Sequence, residues 1–416
     1  MASPCVRGRR WLRAVKMTFF LCFLIPMAAA RIGNTNTIFG QKQKLEFNGN
    51  GDIIDCVHIK NQPAFDHPFF RNHTIQMRPS FHPEGLSFDD VSSKPESEIT
   101  QLWHLNGRCP EETIPIRRTK EEDLLRASSV ANYGRSKYPQ FDTTDTNKTA
   151  IQEVQLNRFE LNDIYYYYYY NAIVFVKEDK YYGTKATINV WKPQIQEQVE
   201  FSFSQLEIFG GNATTEINAI LAGWMVSYTL YGDYNSRLFA FFYNNKVINQ
   251  TRGCYNLLCS PGFVQINKEI ALGGSINPIS VYAGSQYELH FLVWKDIKGG
   301  GDWWLQVGNK YLMGYWPASL FVSLSESASQ ILWGGLVINQ QKKEQHTSTQ
   351  MGSGHFPEEG FSRASYFRNL QIVDGSNILR FPKQSYIAAT KPNCYNVTNF
   401  INNFYYGGPG RSPNCP

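Results

Sequence analysis

Short β-type runs dominate the chain after residue 155, and they restrict what this sequence can fold into. Segments rich in Val, Ile, Tyr, Phe and Trp alternate with Gly, Asn, Asp and Pro, as in residues 172–176, 237–243 and 286–294. Apolar residues at the 3.6-residue spacing of a helix are scarce. Six consecutive tyrosines at 165–170 are typical of an opening strand, where they pack the sheet or form a stacking platform for a ligand. The pattern predicts an all-β, antiparallel sandwich over residues 155–416.

The first 30 residues have the features of an export signal in the expected order. Basic residues lead into an apolar run over residues 17–27, which is followed by three alanines, the small-residue pattern that signal peptidase favours. That run is too short to cross a bilayer, and no later window approaches about 18 uninterrupted apolar residues. We therefore expect residues 1–30 to be a signal peptide and the mature chain to be secreted, with no membrane span.

The charge distribution argues against nucleic acid as a partner. The formal net charge is +5, but five of the 40 basic residues lie in the first 30 residues, which contain no acid. The remainder balances 35 basic residues against 35 acidic ones. Nucleic-acid binding needs a clustered basic face, and no basic run follows residue 30.

Cysteine usage fits an exported chain. Beyond residue 30 the cysteines number an even six: Cys56, Cys109, Cys254, Cys259, Cys394 and Cys415. Six cysteines allow fifteen disulfide pairings, and the sequence alone does not choose among them. A zinc site is the competing interpretation, but it calls for C-x-x-C spacing or a histidine pair, which these cysteines lack. We expect neither a metal site nor a cofactor.

Export also permits N-linked glycans. Asn-x-Ser/Thr acceptor sequences occur at Asn72, Asn147, Asn212, Asn249 and Asn396. Each is a candidate for modification.

The part of the chain before the β-rich region divides in two. Residues 31–126 combine turn-rich polar sequence, short apolar pieces and one charged stretch, 118–126, that predicts a turn or two of helix. Residues 127–154 are rich in Ser, Thr, Asn, Asp and Gly, which is typical of a linker that proteases cut. We predict a small mixed domain, a linker and then the sandwich.

Several long motifs, spread over nearly all of the chain after residue 40, resemble those of one family. They are Gln62-Pro-Ala-Phe-Asp-His-Pro, Ile75-Gln-Met-Arg-Pro-Ser, Ile114-Pro-Ile-Arg-Arg, Gly253-Cys-Tyr-Asn-Leu-Leu-Cys, Pro261-Gly-Phe-Val-Gln, Gly301-Asp-Trp-Trp-Leu, Gly314-Tyr-Trp-Pro-Ala-Ser-Leu-Phe and Thr349-Gln-Met-Gly-Ser-Gly-His-Phe-Pro. The chain is similar to the neprosin family of plant secreted proteins. That resemblance implies an activation peptide over residues 31–126, a sandwich of glutamic-peptidase type with a jelly-roll-like fold, and disulfides between consecutive cysteines. In active members it also implies cleavage next to proline at acid pH.

Two leucines stand where the family carries its catalytic glutamates. The motif Ile-Glu-Ala-Gly-Trp reads Ile220-Leu221-Ala-Gly-Trp224 here, and Trp-Gly-Gly-Glu reads Trp333-Gly-Gly-Leu336. A cooperating carboxyl pair takes a proton from the attacking water and donates one to the product, and leucine can do neither. Losing even one member of such a pair usually costs orders of magnitude in rate. The sequence therefore predicts a chain without the family's catalytic residues.

The groove for an extended chain is expected to survive this exchange. Trp224 and Trp333 flank the two leucines and Tyr315 and Trp316 belong to another family motif, so these four are groove candidates, although tryptophan is more often found in a core. Our first hypothesis is a secreted, non-catalytic binding protein for extended proline-rich chains or cell-wall polymers, located in the apoplast, cell wall or vacuole, with its activation peptide as an intramolecular partner.

Two alternatives remain open. One is an active prolyl endopeptidase that uses another acid; Glu358 and Glu359 are adjacent acids, but in a Pro-Glu-Glu-Gly turn both are expected to be solvated, and no other position near the two leucines in sequence offers a replacement. The other is a lectin-like, polysaccharide-binding protein, which rests on fold analogy alone.

Overall fold

The structure is a computed structural model. It describes residues 44–46, 52–85, 100–127, 132–136, 154–156, 165–211, 216–244, 253–341, 345–400 and 402–416. Residues Lys42–Pro416 form one compact unit. The predicted signal peptide lies outside the described residues. No helix among the described residues is long and apolar enough to cross a membrane.

The N-terminal region, which precedes the sandwich, contains short elements. Its strands and helix are β1 (Lys44–Glu46), β2 (Ile53–His58), β3 (Glu84–Gly85), β4 (Thr113–Arg117), α1 (Glu121–Arg126), β5 (Arg135–Ser136) and β6 (Val154–Leu156). Single 3-10 turns cover Ile59–Asn61, Pro63–Asp66, Pro68–Phe70 and Leu102–Asn106. Strands β1, β2 and β4 pair in an antiparallel sheet.

The remaining elements build the sandwich. They are β7 (Tyr165–Tyr181), β8 (Gly183–Asn189), β9 (Phe201–Gly210), β10 (Asn218–Ser227), α2 (Tyr228–Tyr231), β11 (Arg237–Asn244), β12 (Gly253–Tyr255), β13 (Val264–Gln265), β14 (Glu288–Lys295), β15 (Trp303–Val307), β16 (Tyr311–Trp316), β17 (Ala328–Gln341), β18 (Ser365–Val373), β19 (Ile378–Arg380), β20 (Tyr386–Ala389), β21 (Asn396–Phe400) and β22 (Asn403–Gly407). Single 3-10 turns cover Ala318–Leu320, Ser323–Ser325 and Pro357–Glu359.

Two large sheets pack face to face. The front sheet has the strand order β20-β7-β17-β9-β10-β11-β12-β5, with β6 also paired to β7. The back sheet has the order β13-β16-β15-β14-β8-β18-β19-β3, and β22 and β21 continue from β18. Among the described strands the pairing is antiparallel except between β19 and β3. The predicted all-β antiparallel sandwich is confirmed, and the tyrosine run 165–170 begins its longest strand, β7.

The N-terminal region is joined to both sheets. Its strand β3 pairs with β19 at the edge of the back sheet, and β5 pairs with β12 at the edge of the front sheet. The side chain of Gln62, which is fully buried, brackets the backbone of Gln265: its Nε2 donates to the carbonyl at 3.1 Å and its Oε1 accepts from the N–H at 2.8 Å. The indole N–H of Trp294 donates to the carbonyl of Phe81 at 3.0 Å. Specific hydrogen bonds therefore contribute to the contact, and the two made by Gln62 are buried.

Part of the predicted linker is structured. Residues 132–136 include β5, and the side chain of Tyr133 is 6% exposed, with its hydroxyl donating to the carbonyl of Leu230 at 3.1 Å. A buried hydrogen-bonded tyrosine is a packing contact rather than linker sequence. The limits assigned to the activation peptide, linker and sandwich remain predictions.

The disulfides join consecutive cysteines, as the resemblance implied: Cys56 with Cys109, Cys254 with Cys259, and Cys394 with Cys415. The first lies within the N-terminal region and the other two within the sandwich. Each disulfide therefore closes a loop within either the N-terminal region or the sandwich.

Candidate functional site

Leu221 and Leu336, the two leucines at which the resemblance implies a loss of glutamate, lie on the same face of the front sheet. Strand β9 runs between their strands: Leu221 on β10 is opposite Glu207, and Leu336 on β17 is opposite Phe203. Side chains alternate between faces along a strand, so positions four apart share a face. The two leucines therefore point to one side of the sheet. This side is called the front face.

The front face is mainly apolar at this place. Leu221 and Leu336 are 6% and 4% exposed and belong to one cluster, the front-face cluster, whose other buried members are Tyr133, Phe203, Ile217, Ala219, Met225, Leu230, Tyr231, Phe239, Phe241, Tyr243 and Ile338. Leu124 and Ala127 of the N-terminal region pack against it. Leu221 and Leu336 thus lie in an apolar cluster, and the N-terminal region contributes to the same cluster.

Two of the predicted groove residues lie in the core instead. Trp224 and Trp333 are fully buried between the sheets, and their indole N–H groups donate to the Asn189 carbonyl at 2.9 Å and to Thr184 Oγ1 at 3.0 Å. Both partners are on β8 of the back sheet. Each tryptophan is three positions from its leucine, Leu221 or Leu336, and an odd spacing on a strand reverses the face. Their assignment to the groove was therefore wrong.

The other two groove candidates are on β16 of the back sheet. Trp316 is fully buried, and its ring meets that of Phe263 edge to face at 4.7 Å. The hydroxyl of Tyr315 accepts from the Gln76 N–H at 3.0 Å and lies 2.7 Å from Nε2 of His73. Burial raises the pKa of Tyr315 well above its usual value. Neither residue faces the front side, and Tyr315 forms a contact with the N-terminal region.

A carboxylate that the sequence reasoning missed lies on the front face. Glu207 on β9 is only 3% exposed and is opposite Leu221 on one side and Leu332 on the other. The expectation that no acid stands near the two leucines holds for the linear sequence and fails in the sheet. The available signal was that Glu207 is the single charged residue of β9 and lies an even number of positions from Phe203 and Phe209, which places all three on one face.

Glu207 lines a small pocket between β7, β17 and β9. Its lining residues are Asn171, Ile173, Gln205, Glu207, Leu332, Trp333, Gly334 and Gly335. Nε2 of Gln205 donates to Oε2 of Glu207 at 3.4 Å. Oε1 of Gln205 is buried and has no hydrogen-bond partner among the described residues. The pocket therefore presents two acceptor groups inside a largely apolar surround.

Gly334 is required for the shape of this pocket. It lies opposite Gln205 on β9 and Ile173 on β7, and its φ of +148° is one that residues with a side chain rarely adopt. A Cβ atom at this position would approach the carbonyl oxygen of Ala172 to 2.3 Å. Any larger residue would have to displace strand β7, so the floor of the pocket depends on glycine.

A second cluster of charges, the interface ion cluster, joins the N-terminal region to the start of strand β11 in the front sheet. Asp52 accepts from Nη1 of Arg237 at 2.9 and 3.0 Å and from Nε of Arg117 at 3.0 Å. Nη1 of Arg117 also reaches Asp123 at 3.0 Å, and Arg237 also pairs with Asp233. Burial alone would raise the pKa of Asp52, but the two guanidinium groups outweigh it and lower that pKa below its ordinary value. The cluster stabilises the contact in its ionised form.

The predicted glycan acceptors are only partly described. Asn72 is exposed in a turn of the N-terminal region. Asn396 is half-buried, and its amide donates to Glu358 Oε1 at 3.3 Å. Asn147, Asn212 and Asn249 lie outside the described residues. Modification at the five positions stays a prediction.

The adjacent acids Glu358 and Glu359 are not members of the front-face cluster. Glu358 and Glu359 are exposed, and Glu359 pairs with Nδ1 of His355 at 2.8 Å.

Among the described residues, one group brings potential metal ligands together, namely His346 with the two sulfurs of the Cys394–Cys415 disulfide. Metal binding uses the thiolate, so sulfurs that are bonded to each other do not supply these ligands.

Comparison with known proteins places the chain in a family. The chain is similar to scytalido-glutamic peptidase crystallised with a peptide-based transition state analogue and to SCP-B, an eqolisin-family peptidase in complex with the tripeptide Ala-Ile-His; each match has 11% sequence identity and a TM-score of 0.30, and covers 57% of this chain and 96% of the other. The alginate lyase Aly36B matches 50% of this chain and 93% of its own, at 11% identity and a TM-score of 0.20. A family model for the neprosin activation peptide matches residues 48–161, and the neprosin model matches residues 198–409, just over half of the chain. The chain therefore belongs to the neprosin family.

Proposed function

We propose that this chain is a secreted, non-catalytic neprosin homologue that binds extended, proline-rich chains along the front face. Its site of action would be the apoplast, the cell wall or the vacuole, and its activation peptide would be an intramolecular partner. The three disulfides fit an oxidising compartment of this kind.

The observation that carries the proposal is the position of Leu221 and Leu336. They lie on one face, on the two strands that flank β9, and they are buried in one apolar cluster. A pair of acids placed there would share an environment that separates their pKa values, as acid–base catalysis requires. Leucine has no proton to exchange, so in this proposal the two positions keep their placement and lack the acid–base chemistry.

Binding does not need the two acids. An extended chain is held by backbone hydrogen bonds and by contacts with side chains on a sheet face, and an apolar face suits proline and other apolar residues. The exchange also removes the repulsion between two carboxylates, so it should not destabilise the fold. In this proposal the protein therefore retains a groove for extended chains and lacks the hydrolytic step.

The direct test is a cleavage assay. The purified chain, intact and after a single protease cut within residues 127–154, is incubated with proline-containing peptides from about pH 2 to pH 7, and products are followed by mass spectrometry. We expect no turnover in either form. Turnover that disappears when one acid of the chain is mutated would contradict the proposal.

A rescue experiment tests the same site by gain of function. The double substitution Leu221→Glu and Leu336→Glu should restore some acid-dependent cleavage next to proline, whereas each single substitution should restore little because the two roles depend on each other. Leu332→Glu with Leu336→Glu is the matched control, since it adds the same two charges but places one of them on β17, on the opposite side of Glu207 from Leu221. A folded double variant at 221 and 336 with no activity would mean that other parts of the groove have changed.

A second candidate function is favoured by Glu207. Its carboxylate lies on the front face opposite Leu221, with the Gln205 amide 3.4 Å away, so an acid is present where a reacting peptide would lie. In this case the chain is an active endopeptidase with a relocated acid. Cleavage by the natural chain that is abolished in Glu207→Gln would establish this candidate in place of the first.

A further inference from the structure

We propose that His346, Cys394 and Cys415 form a redox-dependent zinc site. While the two cysteines are joined as a disulfide the site takes no metal. Reduction by a dithiol turns both sulfurs into thiolate ligands beside the imidazole of His346. None of the three residues belongs to the front-face cluster, so the proposal goes beyond peptide binding and does not depend on it.

The first step is the arrangement of the ligand atoms. A ring nitrogen of His346 and the sulfurs of Cys394 and Cys415 all lie within 4.8 Å of one another. Zinc bonds of about 2.0 Å to nitrogen and about 2.3 Å to sulfur place tetrahedral neighbours about 3.5–4 Å apart. The three ligand atoms therefore stand close to the positions that a zinc ion requires.

The second step is the hydrogen bonding of the histidine ring. Nδ1 of His346 lies 2.8 Å from the carbonyl oxygen of Thr347, which can only accept, so Nδ1 carries the proton of the neutral ring. Nε2 then offers a lone pair. This atom is buried and has no hydrogen-bond partner among the described residues, although buried polar atoms are nearly always paired. A ring that donates from one nitrogen to a backbone carbonyl and binds metal through the other is the usual arrangement of a histidine ligand.

The ring is held in this orientation by its neighbours. It packs against the rings of Tyr170 and Tyr395, with centroid distances of 4.4 and 5.4 Å. The backbone N–H of His346 donates to the carbonyl of Pro416 at 3.3 Å, which fixes the histidine next to the segment that carries Cys415. The ligand set is therefore positioned by the fold before any metal binds.

The third step is charge. His346, Cys394 and Cys415 are 3%, 0% and 1% exposed, and an isolated charge in such a place is costly. Two thiolates balance the two positive charges of Zn²⁺, so the complex with a neutral imidazole has no net charge. Calcium and magnesium prefer oxygen ligands, whereas thiolates with imidazole suit zinc. The chemistry of the cluster therefore favours zinc.

The reducing step has a balanced chemistry and an entry route. Two electrons and two protons from the dithiol cleave the S–S bond and give two thiols, while the dithiol is oxidised to its own disulfide. Zinc then displaces the two thiol protons, which go to water, and each sulfur keeps its electron pair as a thiolate ligand. Pro413, Asn414 and Pro416, which flank Cys415, are exposed, so local opening of this turn admits the reductant.

Titration with Co²⁺, a spectroscopic substitute for zinc, tests the proposal. The full-length chain is reduced at pH 7 under argon with a phosphine, which becomes a phosphine oxide by taking the oxygen of one water and adds no competing thiol. We expect the reduced chain to bind Co²⁺ with the thiolate-to-cobalt absorption and the intense visible bands of a tetrahedral ion, and excess Zn²⁺ to remove both. The oxidised chain should show neither.

Variants assign the signal to these ligands. His346→Gln should weaken Co²⁺ binding to the reduced chain at least about tenfold, since loss of a group that only supports a ligand already costs about 10–100-fold. Cys394→Ser with Cys415→Ser should abolish the thiolate absorption. Cys254→Ser with Cys259→Ser is the matched control: it removes another disulfide, and among the described residues no third potential ligand accompanies that pair, so the spectrum should not change.

A stability measurement covers the case in which reduction alone unfolds the chain. Zinc binding stabilises the form that holds the assembled site. Zn²⁺ should therefore raise the unfolding midpoint of the reduced natural chain, or restore its folded circular dichroism spectrum, and should do neither for reduced His346→Gln.

Three results would overturn the proposal. The first is a reduced natural chain with no thiolate-to-cobalt absorption and no stabilisation by Zn²⁺. The second is equal Co²⁺ affinity in the reduced natural chain and in reduced His346→Gln, because the cysteines would then act without the histidine. The third is loss of the signal in the Cys254 and Cys259 control, which would place the metal elsewhere. Each result would leave the proposed peptide binding on the front face unaffected.

Discussion

Replacing Asp52 with asparagine should destabilise the whole compact unit. Asp52 is 6% exposed and accepts hydrogen bonds from Arg117 and from Arg237, and the Arg237 side chain has no exposed surface. Removing one partner of a buried ion pair leaves the other charge uncompensated, at a cost of about 3–5 kcal/mol. Asparagine retains the size and one acceptor oxygen of the carboxylate, and Asp233 still pairs with Arg237, so we expect the low end, about 3 kcal/mol.

The assay is thermal unfolding followed by tryptophan fluorescence at pH 7. At about 2 °C per kcal/mol for a large domain, the midpoint should fall by about 6 °C. Asp55→Asn is the matched control, because Asp55 is on the same strand, β2, and pairs with an Arg118 side chain that is 37% exposed. An ion pair open to water contributes about 0–1 kcal/mol, so the control should shift the midpoint by 2 °C or less.

The pH dependence of this difference follows from the lowered pKa of Asp52. A carboxyl whose folded-state pKa is below its unfolded value of about 3.9 stabilises the fold at every pH above that value, and the contribution is lost only as pH falls through the lower, folded-state pKa. The gap between the natural chain and Asp52→Asn should therefore be constant from pH 7 to about pH 5 and close only in stronger acid. A variant within 1 kcal/mol of the natural chain at pH 7 would refute the argument.

Two further predictions concern acid. Burial lowers the pKa of three histidines of the N-terminal region, which contact the sandwich: His73 at Tyr315, His82 at Trp294 and His104 at the Glu269 carbonyl. Because the pKa of histidine in the unfolded chain is about 6.5, the stability of the fold should decrease as pH drops from about 6.5 through the lower, folded-state pKa values. Replacing all three histidines by glutamine should therefore flatten a plot of unfolding midpoint against pH between 7 and 5. An unchanged slope would contradict this. The purified precursor held at acid pH should remain one full-length band on a denaturing gel, with added protease cutting within 127–154; spontaneous, concentration-independent release of a fragment of the size of 155–416 would show self-cleavage.

Strands could be predicted from the sequence because the alternation of β-type runs with turn residues is a local property of the chain. The tyrosine run and residues 172–176, 237–243 and 286–294 predict strands that the structure has as β7, β11 and β14, and the all-β class follows from this pattern. The prediction that Leu221 and Leu336 replace two glutamates also comes from the sequence, since it depends only on which residue stands in a motif, and it stays a prediction. Pairing of the cysteines came from the resemblance, because sequence spacing alone leaves fifteen possibilities.

The sequence did not predict which residues of different strands become neighbours in space. Glu207 meets Leu221 only through the β9–β10 register, and a shift of one residue would turn it to the other face. Asp52 and Arg237 are 185 positions apart, and nothing local in either segment indicates that they pair. Such contacts are set by how sheets and the N-terminal region pack together.

Trp224 shows which part of the site the sequence determines and which part depends on the tertiary structure. The three-residue spacing from Leu221 to Trp224 already places the two on opposite faces of a strand, and this much the sequence determined by itself. Which face became the core was decided by tertiary structure alone, because every residue of β10 is buried and its two faces are similarly apolar. The back sheet covers the Trp224 side and the N-terminal region joins the Leu221 side, so the packing partner, and not the strand's own pattern, determines which side is available to a ligand.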